Sequence, residues 1–186
     1  MIYTKRKYYN YNTKDNTIKY LMITMFLGSI LGALFGAFID DNSIQKIDIF
    51  LDSFITQENN IQFDLMYFLE VFFKGLKYFL SIWFLGFIPF GYIFIYLIVF
   101  SKGFFISFTT TIFFSKYYLE GLKYVFNMYV IENIIIIALI FYISYKAIKY
   151  CKDKMKKRSL NIKSYIKTLI ICIIINIVLF FLFNYI

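Results

Sequence analysis

Few residues in this sequence have side chains that could do chemistry, and their spacing does not bring them together. Histidine, the commonest general base and a common metal ligand, is absent. Ser101 and Lys102 could form a serine–lysine nucleophile, but adjacent residues on a turn rarely reach the geometry that this pair requires. Cys151 and Cys172 lie far apart and lack metal-binding spacing, so we interpret both as ordinary thiols. We therefore expect no catalytic residue, no metal, no cofactor and no enzymatic activity.

One polar pair, Glu132 and Asn133, lies near the start of an apolar segment. An ionisable group at membrane depth is energetically costly and often functional. Glu132 belongs either to an ion path or to a hydrated position at the outer membrane interface. Since no cation lies next to it in the sequence, a structural or interface role is favoured.

The elements that carry these residues are apolar segments of membrane-spanning length. The 186 residues have a mean hydropathy of +0.68, and 61% of them are hydrophobic. About twenty apolar residues span a bilayer core, and several such blocks fit in the chain. We predict an all-α polytopic bundle, in which a basic tail over 1–17 precedes one membrane domain over 18–186. The five predicted transmembrane spans are 18–39, 69–100, 103–118, 129–145 and 168–185.

The second predicted span contains the residues that would bend it. Gly86, Pro89 and Gly91 fall inside 69–100. Because proline removes one helix hydrogen bond and clashes with the preceding turn, we expect a kink there.

Two further segments have special roles in this layout. Lys102 and Gly103 interrupt the apolar sequence and are predicted to form a tight cytoplasmic turn. The block 103–118 is short for a full span, so it is either a tilted helix or half of a re-entrant hairpin. Apolar residues at helical spacing between 40 and 62 predict an external amphipathic helix.

The distribution of charge sets the orientation and accounts for the net charge of +9. Of the 20 Lys and Arg residues, five precede residue 20 and nine lie between 146 and 167. Cytoplasmic loops are enriched in Lys and Arg, which places both segments inside the cell. Five crossings then leave the N-terminus cytoplasmic and the C-terminus external in the plasma membrane. This layout removes the need for a nucleic-acid partner, and the basic loop either touches anionic lipid or is simply solvated.

Gly28, Gly32 and Gly36 give the first span a GxxxGxxxG pattern. Small residues at this spacing let two helix backbones approach closely. The pattern predicts tight helix packing. It leaves open whether the partner is another helix of the chain, a second copy in a homodimer, or another protein.

Three stretches carry a family resemblance. They are GALFGAFI at 32–39, FFKGLKYFLSIWFLGFIPFG at 72–91 and SKGFFISF at 101–108, followed by the Glu132–Asn133 pair. In this order they resemble the stage II sporulation protein M family of bacterial membrane proteins, over about residues 28–150.

The resemblance implies a role in engulfment during endospore formation. A member of this family is expected at the septal membrane, as a scaffold of a peptidoglycan-remodelling complex. The stage II sporulation proteins D and P would be its partners and would do the wall chemistry. A broader branch of the family has no link to sporulation.

A transport role is the alternative function. A small-solute permease or the membrane subunit of an exporter would use the Pro/Gly-broken second helix and the short third helix, because discontinuous helices often line substrate sites.

Overall fold

The computed structural model describes residues 16–39, 65–124, 131–157 and 162–184. Within these residues the chain forms five α-helices and no strand, which confirms the predicted all-α class. The helices are α1 (Thr17–Ala37), α2 (Leu65–Leu85), α3 (Gly91–Tyr124), α4 (Ile131–Met155) and α5 (Ile162–Asn184). Most of the predicted basic tail and the whole predicted amphipathic helix over 40–62 lie outside the described residues.

Two of the helices are long and apolar enough to cross a membrane. They are α1 and the Gly91–Ser115 part of α3. Along α1, large apolar side chains such as Phe26 and Phe35 are exposed, as is expected of a helix surrounded by lipid. Five crossings and their orientation stay a prediction.

Helices α1 and α3 run parallel to each other. Gly28 near the middle of α1 lies against Phe100 of α3, and Gly36 near the end of α1 lies against Thr111. Because the contacts advance in the same direction along both helices, the ends of α1 and α3 lie on the same side of the bundle.

Helix α4 runs antiparallel to α1 and α3. Its Lys152 ammonium lies 3.5 Å from the hydroxyl oxygen of Thr17, at the start of α1. The neighbouring Cys151 thiol donates to the carbonyl of Ile88, just before α3 begins, at 3.3 Å. The end of α4 therefore meets the beginnings of α1 and α3.

Helix α5 runs antiparallel to α2. Tyr165, at the start of α5, contacts Trp83 near the end of α2. Asn176, farther along α5, lies against Gly75. The starts of α1, α3 and α5 and the ends of α2 and α4 thus share one side, which we call the basic end because the last turn of α4 is rich in lysine.

The interior is an apolar core to which all five helices contribute. The fully buried side chains include Leu21, Phe79, Ile82, Ile95, Val99, Ile143, Ile148 and Cys172. The helices that enclose this core position the close contacts described in the next section.

The chain reverses at residues 86–90, and not at Lys102–Gly103 as the sequence analysis predicted. Backbone N–H groups of Gly86 and Ile88 bond to carbonyls three residues earlier, at 3.2 and 3.1 Å, and close the end of α2. Phe90 then takes a left-handed conformation with φ 64°. Because Pro89 has no N–H and disfavours helix at the residue before it, this segment ends one helix and begins the next, where only a kink was expected.

Lys102 and Gly103 lie inside α3, which continues as a helix to Tyr118. There the backbone leaves the helical region, with φ 49° and ψ −130°. The predicted short third span over 103–118 is therefore the second half of a long helix. A lysine followed by a glycine does not end this helix, because lysine is a good helix former and a single helical glycine costs only about 1 kcal/mol.

Helices α4 and α5 extend farther toward the basic end than the spans at 129–145 and 168–185. Helix α4 continues to Met155, and α5 already begins at Ile162. The charged residues in these helices show where each helix leaves the predicted apolar region. The helix itself continues beyond that point.

Candidate functional site

Gly28 and Gly32 bring the backbone of α1 against the backbone of α3. A Cβ atom at Gly28 would overlap the carbonyl of Phe100, and one at Gly32 would overlap the carbonyl of Phe104. Both glycines are buried. Because glycine has no side chain, the backbones of the two helices are in direct contact at these positions. We call the contact of Gly28, Gly32 and Gly36 with α3 the glycine seam.

Small and polar groups lie at both ends of the glycine seam. At Gly36 a Cβ would lie 3.0 Å from the Cβ of Thr111, and at Gly103 of α3 it would overlap the carbonyl of Met25. The Ser29 hydroxyl lies 3.1 Å from the Met25 carbonyl and 3.3 Å from the Gly103 carbonyl. The glycine face of α1 is thus occupied by a helix of the same chain, and a homodimer stays a prediction for other surfaces.

The turn between α2 and α3 is held by two donors from α4. Lys154 Nζ donates to the carbonyl of Phe87 at 2.8 Å, and the Cys151 thiol donates to the carbonyl of Ile88. Both carbonyls belong to the turn that follows Leu85, the last residue of α2, so these two donors tie the turn to α4.

Gly86 and Gly91, on either side of Pro89, are places of close approach. A Cβ at Gly86 would overlap the Tyr165 hydroxyl, and one at Gly91 would overlap the carbonyl of Leu85. Pro89 itself is exposed. The two glycines therefore make room for α5 and for the turn.

An aromatic cluster lies beside this turn and was not found from the sequence. The Tyr165 ring stacks on Tyr150 at 4.3 Å and on Trp83 at 5.6 Å between centroids. Phe87 stands edge-on to Trp83 at 4.8 Å, and the Tyr165 hydroxyl donates to the Trp83 carbonyl at 2.7 Å. We call Trp83, Phe87, Tyr150 and Tyr165 the aromatic cluster. Its only signal in the sequence is the preference of tyrosine and tryptophan for helix ends near the headgroups.

Two lysines share one aromatic ring between α2 and α3. The Lys102 ammonium lies 4.1 Å from the centroid of the Tyr78 ring, and the Lys77 ammonium lies 5.3 Å from it. Both distances are within the range of cation–π attraction. Lys102 is half-buried and Lys77 is exposed. We call these two residues the lysine pair. A turn at Lys102, as predicted from the sequence, would not have brought them together.

Hydroxyl groups along the second half of α3 bond to their own helix. Thr110 Oγ1 donates to the carbonyl of Ile106 at 2.8 Å, and Thr111 Oγ1 donates to that of Ser107 at 2.9 Å. Such bonds satisfy a hydroxyl group without any partner outside the helix.

Glu132 and Asn133 lie in the first turn of α4. Their side chains are outside the part of the chain that the structure describes. The proposed structural or interface role of Glu132 stays a prediction.

Two helices of spanning length in the described part of the chain, packed together by a glycine seam, indicate a helical membrane protein. The family model of stage II sporulation protein M matches residues 18–183, which is nearly the whole chain. The chain belongs to this family and is a sporulation-related membrane protein, which confirms the resemblance seen in its motifs. Neither the comparison with curated proteins nor the comparison with solved structures gives a match.

Proposed function

We propose that this protein is a non-enzymatic membrane scaffold of a septal peptidoglycan-remodelling complex that acts in engulfment during endospore formation. It would recruit and position wall-degrading partners, the stage II sporulation proteins D and P. The observation that carries the proposal is the glycine seam, where backbone contact at Gly28 and Gly32 and the close approach of Thr111 to Gly36 fix α1 against α3 over about two helical turns. A fixed helix pair suits a protein that positions others, and membership of the family supports the process.

The geometry also supports external contact surfaces on one side of the bundle. The end of α1 and the end of α3 lie opposite the basic end, and the start of α4 lies there as well. The acidic segment over 40–64, which follows α1, and the segment over 115–128, which includes the end of α3, would be the external contacts. Two segments attached to one fixed frame would hold two partners at a set distance.

The orientation in the plasma membrane is part of the same proposal. We expect the basic end in the cytoplasm, since Lys and Arg favour that side. In a variant whose Cys151 and Cys172 are replaced by Ala, single cysteines can be introduced at Phe38 and Met155, exposed residues at opposite ends, and treated with a membrane-impermeant maleimide. Phe38→Cys should react in intact cells, and Met155→Cys only after permeabilisation. Phe90→Cys, in the turn, should behave like Met155→Cys, and reaction from the outside would overturn the orientation.

A transport role loses both of the features that would support it. Its basis was a helix broken at membrane depth, and that break is a turn at the basic end. The supposed short third helix belongs to a helix that begins at Gly91 and continues to Tyr118.

Co-purification from sporulating cells tests the scaffold role. The full-length protein carrying an affinity tag should retain the stage II sporulation proteins D and P after solubilisation in mild detergent. Deletion of its gene should stop engulfment while the two partners are still made. If no wall hydrolase associates and engulfment proceeds normally, the proposal is wrong.

A further inference from the structure

The lysine pair lies at a depth where charged side chains are rare. In the Gly91–Ser115 part of α3, which is long enough to cross a membrane, Lys102 stands close to the middle. At 1.5 Å per residue it is about 16 Å from Gly91. Tyr78 of α2 contacts Lys102, so Lys77 lies at nearly the same depth. Both ammonium groups are therefore near the centre of the spanning region.

The surroundings of Lys77 are apolar and point outward. Phe73, Leu80 and Phe84 recur with Lys77 at helical spacing on α2, and all three are exposed. This stripe faces away from the core, with a cation at its centre. A charged lysine surrounded by hydrocarbon is unfavourable, and a second cation at the same ring adds repulsion. The Tyr78 ring offsets only part of this.

The described part of the chain offers the lysine pair no counter-charge. Asp153 is the only acidic residue whose side chain the structure describes, and it lies at the basic end. Glu70 precedes Tyr78 by eight residues on α2, which places its backbone about 12 Å farther toward the opposite end. Glu132 begins α4, which runs antiparallel to α3, so its backbone also lies toward that end.

We propose that the outward face of α2 and α3 binds a transmembrane helix of a partner protein that carries a carboxylate near mid-bilayer, with Lys77 and Lys102 as its counter-charges. This inference rests on the proposed scaffold function, because it names the chemistry that holds one partner. The depth of the pair argues for a helix rather than a lipid headgroup. Phosphates lie about 15 Å from the bilayer centre, farther than the four-carbon stem of a lysine extends.

Model helices in liposomes give the direct test. The full-length protein, carrying a donor dye, is reconstituted in phosphatidylcholine with acceptor-labelled Leu/Ala helices of about twenty residues. One helix has Asp at its midpoint, one has Asp near an end, and one has only Leu and Ala. Energy transfer should show roughly tenfold tighter binding of the midpoint Asp helix than of the other two. Equal affinity for all three helices would overturn the proposal.

Variants of the lysine pair provide the matched comparison. The double variant Lys77→Met/Lys102→Met keeps long side chains and should lose the preference for midpoint Asp. The control Lys163→Met/Lys167→Met removes two exposed charges near the start of α5 and should keep it. Lys102→Arg should also keep it, because the charge remains. If the double variant does not fold, the affinities of the three model helices for the unaltered protein still test the proposal.

Two further outcomes separate this inference from its alternatives. If phosphatidylglycerol displaces all three helices equally, the pair is a lipid site and the proposal is wrong. Co-purification with the stage II sporulation proteins D and P distinguishes the two proposals. Full retention of both by Lys77→Met/Lys102→Met would refute the lysine contact and leave the scaffold standing. Failure of the unaltered protein to retain either would refute the scaffold, while the liposome result would still stand alone.

Discussion

The glycine seam and the aromatic cluster both join helices, but they are built from residues of opposite size. In the seam, Gly28 and Gly32 remove side chains so that carbonyl groups of α3 meet the backbone of α1. In the cluster, Trp83 and Tyr165 fill the space between α2 and α5 with stacked rings. The seam has no room for added atoms, whereas the cluster has large groups that can be trimmed. The two contacts should therefore respond differently to substitution.

The largest effect is expected when a side chain is added to the seam. Gly32→Leu would place a side chain where the carbonyl of Phe104 already lies, so α1 and α3 would have to separate. We expect a loss of more than about 3 kcal/mol of stability and no single species in detergent. Size-exclusion chromatography after graded heating measures this. Ala37→Leu, which adds the same side chain at an exposed position of α1, should elute like the unaltered protein.

Trimming the cluster should have a smaller effect. Trp83→Ala removes the ring that stacks on Tyr165 and meets Phe87, and leaves a cavity open at its edge. We expect about 2 kcal/mol, less than for a fully buried tryptophan, because Trp83 is only half-buried. Trp83→Phe should recover much of this, since the indole Nε1 has no hydrogen-bond partner among the residues that the structure describes. A midpoint of heat-induced aggregation that is equal for both variants would contradict this account of the cluster.

A single hydrogen bond in the cluster should matter less again. Tyr165→Phe keeps the stacked ring and removes only the hydroxyl that donates to the Trp83 carbonyl. The expected cost is about 1 kcal/mol. Thermal unfolding followed by tryptophan fluorescence reports on it, because Trp83 is the only tryptophan in the chain. An unchanged midpoint would mean that the backbone N–H of Gly86, which also bonds to this carbonyl at 3.2 Å, satisfies it without the Tyr165 hydroxyl.

The smallest effect is expected at the edge of the seam. Thr111→Val keeps the Cβ and methyl group that lie against Gly36 and removes a hydroxyl bonded to its own helix. The change in stability should stay within about 0.5 kcal/mol. A larger loss in the same heating assay would show that the hydroxyl takes part in joining α1 to α3.

Sequence alone anticipated features that depend on local spacing. The spacing of Gly28, Gly32 and Gly36 indicated a close helix contact, and the predicted span over 18–39 is close to α1 (Thr17–Ala37). The spacing of the glycines does not indicate which helix contacts them, because α3 is distant from α1 in the sequence. The same holds for the aromatic cluster, whose rings come from α2, α4, α5 and the turn after α2.

The prediction of the turn failed for a different reason. The sequence predicts a turn at Lys102 and Gly103 and only a kink around Pro89. In the structure a ring from α2 lies beside the Lys102 ammonium, and two carbonyls of the 86–90 turn have donors on α4. Neither contact can be inferred from neighbours in the sequence. Even so, moving the reversal from 101–103 to 86–90 leaves the predicted number and direction of crossings unchanged.

The parallel arrangement of α1 and α3 has a consequence for biogenesis. Two parallel helices of one chain cannot be neighbours in the sequence, so α2 must be synthesised between them. Helix α1 then resides in the bilayer before its partner exists, and its length and apolar surface are sufficient for that. The docking of Gly32 onto α3 can only follow the insertion of the third helix. Protease protection of truncated nascent chains should therefore change abruptly once residues beyond Thr111 have entered the membrane.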